Sequence, residues 1–333
     1  MVLKDVFKRP LLDLRISVTD RCNMRCRYCM PREHFDKNHV YLPKSDILSF
    51  EEIVRVVESL LPSGLRKVRL TGGEPLIRKD LYKLIEQLRE LSPDLDIALT
   101  TNAQLLSKSI LDLKKAGLSR VTVSLDAIDI DVYQAMGDTT STPDAIIESI
   151  DKTLALGIPV KVNTVIQKGV NEHQVIPLIS KMGSRNIPIR FIEYMDVGAT
   201  NSWNLDHVMT GKEMRHLIET EFGLIQPIEP DHPSDVARTY HIDSGSVIGF
   251  IESISNPFCG DCSRARLSAN GSIYTCLFAT EGFDLRGILR MDATKEDITS
   301  AISAIWNQRK DRYSETRSEK TDLNRIEMSF IGG

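Results

Sequence analysis

Six cysteines stand in two groups of three at opposite ends of the chain, and their spacing is the first feature in it that could do chemistry. Cys22, Cys26 and Cys29 follow a C-x3-C-x2-C pattern, with Tyr28 just before the last thiol. Cys259, Cys262 and Cys276 follow C-x2-C-x13-C, with Arg264, Ala265 and Arg266 directly behind the pair. Met1 to Pro10 carries no apolar run long enough for a signal peptide. Nowhere do the roughly 20 apolar residues of a membrane span occur, so a cytoplasmic protein without membrane association is expected. Disulfides are disfavoured there, and grouped thiolates then read as metal or cluster ligands. A four-iron cluster is generally held by four thiolates, so three in one loop leave one iron open to another ligand. Zinc sites more often use C-x2-C pairs and close their fourth position. The first group therefore favours an iron–sulfur cluster. The second is, by itself, equally suited to zinc completed by a histidine such as His241.

Other cofactor chemistries are weakly represented. The seven histidines show no paired ligand spacing, and Gly211-Lys212 lacks the flanking residues of a phosphate-binding P-loop. A net charge of −4 gives no general attraction to nucleic acid, and no such partner is expected.

Elements must carry these thiols into one place. Strands are predicted at Leu12–Thr19, Lys67–Thr71, Ile97–Thr101, Arg120–Asp126, Val160–Ile166 and Ile189–Met195. Helical spacing lies between them, over Phe50–Leu61, Lys79–Leu91, Ser107–Ala116, Asp144–Leu156 and His173–Met182. Gly64, Gly117, Gly157 and Gly183 stand where left-handed helix ends are wanted. Six strand–helix units point to an α/β fold, an incomplete parallel βα barrel, since eight units close a standard one. The first cysteine loop then leaves the C-terminal end of the first strand, where such barrels keep their chemistry.

The strand faces are unusual. Asp13, Arg15 and Ser17 share one face of the first, Lys67, Arg69 and Thr71 one face of the second, and Lys161 and Asn163 one face of the fifth. The apolar faces must meet the helices, so the lumen is expected to be polar and partly cationic, suited to a large anion. Beyond Asp196 the pattern changes: Pro227, Pro230 and Pro233 mark a linker, and short strands near Val236–His241 and Val247–Ile251 precede the second cysteine group. A helix near Glu296–Trp306 and a polar tail follow. The division expected is a barrel over residues 1–225 and a smaller α+β region over 226–333 that covers the open side.

The thiolate loop after the first strand and Thr71-Gly72-Gly73-Glu74-Pro75 after the second together resemble the radical S-adenosylmethionine (SAM) superfamily. From Leu12 to the last residue the chain resembles one family within it, the GTP 3′,8-cyclases that begin molybdenum cofactor synthesis. That resemblance rests on the run from Leu14 through Arg15 to Cys22, Val123-Ser124-Leu125-Asp126-Ala127, Arg190–Met195, Cys259–Arg266 and the terminal Gly332-Gly333. One departure is Ala103, where the family usually has glycine.

The resemblance implies two [4Fe-4S] clusters, one on each cysteine group, with SAM on the open iron of the first and the guanine base on that of the second. It implies that Tyr28, Gly72, Gly73, Glu74, Ser124 and Met195 bind SAM. Arg15, Arg69, Thr100, Lys161, Arg264, Ala265 and Arg266 would meet GTP, with Arg15, Arg264, Arg266, Gly332 and Gly333 serving catalysis. A 5′-deoxyadenosyl radical would take the ribose C3′ hydrogen, and C3′ would attack guanine C8 to give 3′,8-cyclo-7,8-dihydro-GTP. The implied partners are an electron donor of flavodoxin or ferredoxin type, the downstream cyclic pyranopterin monophosphate synthase, and a second copy of the chain in a homodimer.

Overall fold

A computed structural model of the chain describes residues 2–243, 245–317 and 325–332. Gly333 lies outside the described residues.

The six expected units form as the apolar periodicity dictates. Their strands are β1 (Asp13–Ser17), β2 (Lys67–Thr71), β3 (Asp96–Thr101), β4 (Arg120–Ser124), β5 (Val160–Ile166) and β6 (Ile189–Glu193). Between and after them run α1 (Phe50–Leu60), α2 (Leu81–Leu91), α3 (Leu106–Lys115), α4 (Ile130–Gly137), α5 (Pro143–Ala155), α6 (Val175–Gly183) and α7 (Gly211–Phe222). The first helix shows how locally these starts are set. Ser49 Oγ accepts from Glu52 N at 3.1 Å, and the Glu52 carboxylate accepts from Ser49 N at 2.7 Å, satisfying two donors that the helix leaves open. Ile53, Val57 and Leu60 of α1 then bury against Leu14 and Ile16 of β1 and Val68 and Leu70 of β2 in one core.

Gly64, Gly117 and Gly157 adopt the left-handed conformation expected of them. Gly183 does not. It ends α6 without a positive φ, and a Cβ there would collide with the Ser246 side chain, so close approach is what requires it.

The C-terminal region does more than cover an open side. It adds β7 (Gln226–Ile228), β8 (Arg238–His241), β9 (Val247–Ile251), β10 (Arg264–Leu267), β11 (Ser272–Tyr274) and β12 (Phe283–Asp284), then α8 (Arg286–Leu289), α9 (Lys295–Asn307) and α10 (Met328–Ile331). β9 pairs in parallel with β6, and β10 in parallel with β1. The single sheet runs β12-β11-β10-β1-β2-β3-β4-β5-β6-β9-β8-β7 and does not close. Eight of its strands, β10 through β9, are therefore parallel, the number of a full barrel, and the last two come from beyond the expected boundary. The proline-rich stretch contributes β7, and the tail expected to be merely polar contributes α10. Among the described residues no helix is long and apolar enough to cross a membrane.

Candidate active site

Strand register concentrates cations before any ligand is considered. Arg15 of β1 lies opposite Arg69 of β2 on one side and Arg266 of β10 on the other. One residue pair earlier, Asp13 lies between Lys67 and Arg264. Like charges side by side on a sheet are destabilising, and here three guanidiniums stand in one row. Asp13, from the neighbouring pair, partly compensates it. The Nε atoms of Arg15 and Arg69 are buried with no hydrogen-bond partner, as are Thr100 Oγ1 and Asn163 Oδ1. Burial, with Arg266 and Arg69 beside it, holds the Arg15 guanidinium well below its ordinary pKa. Burial likewise lowers Lys67 and Lys161 to about 8. The unpartnered guanidinium N–H groups of such an interior suit an anion with several oxygens.

The lumen has two parts that share several lining residues. The upper cavity encloses about 1730 Å³ with its open mouth included, and all six cysteines line it, as do Arg15, Arg69, Thr100, Arg264 and Arg266. Tyr28, Gly72, Gly73, Glu74, Ser124 and Met195 line it too. The lower cavity, about 1420 Å³, shares Arg15, Arg69, Arg190 and Arg264 with the upper one and adds Lys161, Lys67, Arg66 and Arg120. Ala265 lines neither: its side chain lies in the apolar core between two inward-facing arginines, so only its main chain could reach a ligand.

The N-terminal thiols occupy a tightly folded loop. Arg25 donates to the carbonyls of Cys22 at 2.9 Å, Met24 at 2.8 Å and Phe35 at 2.8 Å, bending the loop around its own guanidinium. The two glycines of the β2 loop are needed for a reason the sequence does not disclose. A Cβ on Gly72 would stand 2.5 Å from Thr19 O, and one on Gly73 would collide with Arg21 O. These glycines let the second loop lie directly against the backbone entering the cysteine loop. Gly73 N and Glu74 N donate to those same carbonyls at 2.9 and 2.8 Å.

Glu74 is likewise committed to protein. Its carboxylate accepts from Leu76 N at 3.0 Å, Thr101 Oγ1 at 2.7 Å and Asn102 N at 2.8 Å, tying the ends of β2 and β3 together. Burial nonetheless raises it to about 7. Tyr28 Oη donates to Asp126 at 2.6 Å, and burial lifts that carboxyl to about 6. Burial also pushes the Cys22 thiol to about 11 and raises Cys26 and Cys29 further.

At the C-terminal group the electrostatics change. Burial opposes ionisation of Cys262, but the Arg264 and Arg309 guanidiniums hold it at about 6. At Cys276 burial outweighs the pull of Arg309 and pushes the thiol to about 12. Arg266 Nη1 donates to Gly332 O at 2.8 Å, fixing the end of the chain beside β1 and β2. Gly332 has φ 80°, and a Cβ on it would strike the Thr71 methyl, so glycine alone fits there. His241 is exposed on β8, and no histidine lines the upper cavity.

Sequence reasoning missed Asn102, Asp126 and Arg309, which line the upper cavity, and left Arg190 without a role. Arg190 was legible: it occupies the inward phase of β6 between Ile189 and Phe191, both buried. Arg309 was not, because it follows α9, far along the chain from the cysteines it meets.

A three-thiolate loop after the first strand of an incomplete parallel βα barrel defines a radical SAM enzyme, and residues 16–182 match that superfamily. Residues 187–315 match the family described as Molybdenum Cofactor Synthesis C. The chain is 47% identical, over 99% of both chains, to a GTP 3′,8-cyclase of Staphylococcus haemolyticus. It is 46% identical to one of Staphylococcus epidermidis over 100% of this chain and 99% of that one. The chain belongs to the GTP 3′,8-cyclase family of radical SAM enzymes. In fold it is similar to SuiB of Streptococcus suis bound to its precursor peptide SuiA, with a TM-score of 0.63 at 17% identity over 95% of this chain and 69% of that one.

Enzymes of this family use SAM and iron–sulfur clusters, and the residues here fit both. Each end of the upper cavity offers three free cysteines as the donor set of a cluster with one open iron. The unpartnered arginine and threonine atoms between them fit a nucleotide's oxygens.

Proposed function

We propose that this chain converts GTP to 3′,8-cyclo-7,8-dihydro-GTP, the first committed chemistry of molybdenum cofactor synthesis, in the cytoplasm. The observation that carries this reading is the Arg266–Arg15–Arg69 row, running across three adjacent strands between two thiolate groups in one cavity.

Cys22, Cys26 and Cys29 would hold the cluster that binds SAM, whose methionine end would lie against Gly72, Gly73 and Glu74, with Tyr28, Ser124 and Met195 around the rest. Bound there, SAM supplies a 5′-deoxyadenosyl radical able to take the ribose C3′ hydrogen. Cys259, Cys262 and Cys276 would hold a second cluster, with an iron open to the guanine base. Arg69, Thr100 and Lys161 would bind the triphosphate and ribose, and Arg15, Arg264 and Arg266 would hold the reacting nucleoside. Guanidiniums present planar pairs of donors to phosphate and fix its orientation. Holding C3′ near C8 is what converts an improbable encounter into a ring closure. Gly332, drawn in by Arg266, would complete the wall beside the nucleotide, and Gly333 would serve catalysis.

The barrel unit spans residues 1–225 and the C-terminal unit 226–333, although their strands share one sheet. The electron donor is of flavodoxin or ferredoxin type, the product passes to cyclic pyranopterin monophosphate synthase, and two copies form a homodimer. The test is product analysis after anaerobic incubation with GTP, SAM and dithionite. A product carrying the C3′–C8 bond supports the reading. SAM consumption without change in GTP would overturn it.

A further inference from the structure

The N-terminal segment and the end of α9 meet behind the second cysteine group, in a buried charge cluster that the proposed reaction leaves unused. Asp5, Arg9 and Arg309 compose it, with side chains 0%, 2% and 2% exposed. Asp5 Oδ2 accepts from Arg9 Nε at 2.6 Å and pairs with Arg309 Nη1 at 3.3 Å. Its other oxygen accepts from the main-chain N–H groups of Phe7 and Arg9, both at 2.9 Å, so the carboxylate is fully engaged.

Both arginines then reach across to the cysteine pair. Arg9 Nη1 donates to Cys259 O at 2.7 Å, and Arg309 Nη1 donates to Cys262 O at 2.7 Å. Arg309 Nη2 donates to the sulfur of Cys262 itself at 3.2 Å. The Trp306 ring, 4.5 Å from the guanidinium carbon, covers Arg309, and Trp306 Nε1 donates to Arg9 O at 3.2 Å. Arg309 Nε also donates to Thr275 O at 3.0 Å and lies 3.4 Å from Asp311 Oδ2, a second carboxylate beside the same guanidinium.

We propose that Arg309 is a positioning residue that tunes the second cluster, raising its reduction potential through the charged N–H···S bond to Cys262, with Asp5 and Asp311, which both pair with it, as the opposing charges that set how far. This rests on the reading that Cys259, Cys262 and Cys276 hold a cluster. Reduction of such a cluster adds one negative charge, and a fixed guanidinium beside a ligand sulfur stabilises that charge. Hydrogen bonds to the sulfurs and local net charge are among the determinants of cluster potential. Arg9 acts on geometry, because it bonds the carbonyl of Cys259 and no sulfur.

The experiment is a dithionite redox titration of the anaerobic full-length protein, followed by electron paramagnetic resonance, in a Cys22→Ala/Cys26→Ala/Cys29→Ala background so that one cluster reports. Arg309→Gln is expected to shift the midpoint to more negative potential, and Asp5→Asn to shift it to more positive potential. Purely structural contacts would not move the two in opposite directions. An unchanged midpoint in either variant, or shifts of the same sign, overturns the proposal. Where Arg309→Gln cannot retain iron, Arg309→Lys decides. A retained cluster near the parent potential supports the role of the charge, and loss of the cluster there as well shows packing alone and overturns it. Iron analysis of the parent background separates the two readings. About four irons per chain means the second cluster exists, and an iron-free parent refutes the cluster assignment instead.

Discussion

The two cysteine groups face one cavity from opposite electrostatic surroundings. The N-terminal loop shares its end with the Glu74 and Asp126 carboxyls, and burial pushes its thiols towards the neutral form. The C-terminal group stands among Arg264, Arg266 and Arg309, two of which hold Cys262 near 6. Cys262 therefore stands where negative charge is welcomed, whereas burial resists it at Cys22, Cys26, Cys29 and Cys276.

The sharpest break in the comparison would come from removing one thiol at each end. Cys26→Ala should abolish SAM cleavage, measured as 5′-deoxyadenosine formed anaerobically with dithionite. Cys276→Ala should retain SAM cleavage and lose cyclisation of GTP. Equal loss of both activities in the two variants would mean that the two groups are not separate in function.

In the apoprotein at pH 7.5, iodoacetamide should modify Cys262 roughly tenfold or more ahead of Cys22, since the thiolate is the nucleophile. The sign follows from the pKa values: Cys262 near 6 is ionised at that pH, and Cys22 near 11 is not. Its rate should fall as pH drops below about 6. Peptide mapping by mass spectrometry reads both.

Lys161 sharpens the comparison at the cationic end. Each hydrogen bond to a charged group contributes roughly 1.5–3 kcal/mol, so Lys161→Met should weaken GTP binding by about 10- to 150-fold in calorimetry. In the parent protein the free lysine titrates near 8, and phosphate beside it raises that value. Binding therefore takes up protons above pH 8, and GTP affinity should fall as pH rises from 8 towards 9.5. The Lys161→Met variant should lose part of that slope.

The smallest effect is expected at the β3 turn. Ala103 has φ 62° and is fully buried, so alanine bears a left-handed conformation there. Ala103→Gly relieves about 1 kcal/mol of strain and loses a buried methyl of about 0.8 kcal/mol. Urea denaturation should show a change within about 1 kcal/mol, and a larger loss would mean that the methyl packs more tightly than its φ suggests.

Much of this was legible in the chain itself. Period-two alternation placed β2 and β5 to the residue, because their apolar faces have only the helices to meet. The same alternation put Arg15, Arg69 and Lys161 inside, and the spacing within each cysteine group singled out six thiols that line one cavity. Local sequence carries such information because strand faces and short loops depend on neighbours a few residues away. The tertiary structure alone decided that β9 and β10 extend the sheet at both edges, that Arg266 completes the row begun by Arg15 and Arg69, and that Gly72 and Gly73 make room for the backbone of the cysteine loop. It also brought Asp5, Arg9 and Arg309 together behind Cys262. These pairings join segments up to some three hundred residues apart, and no periodicity within a segment specifies which distant partner its exposed edge or buried charge will meet.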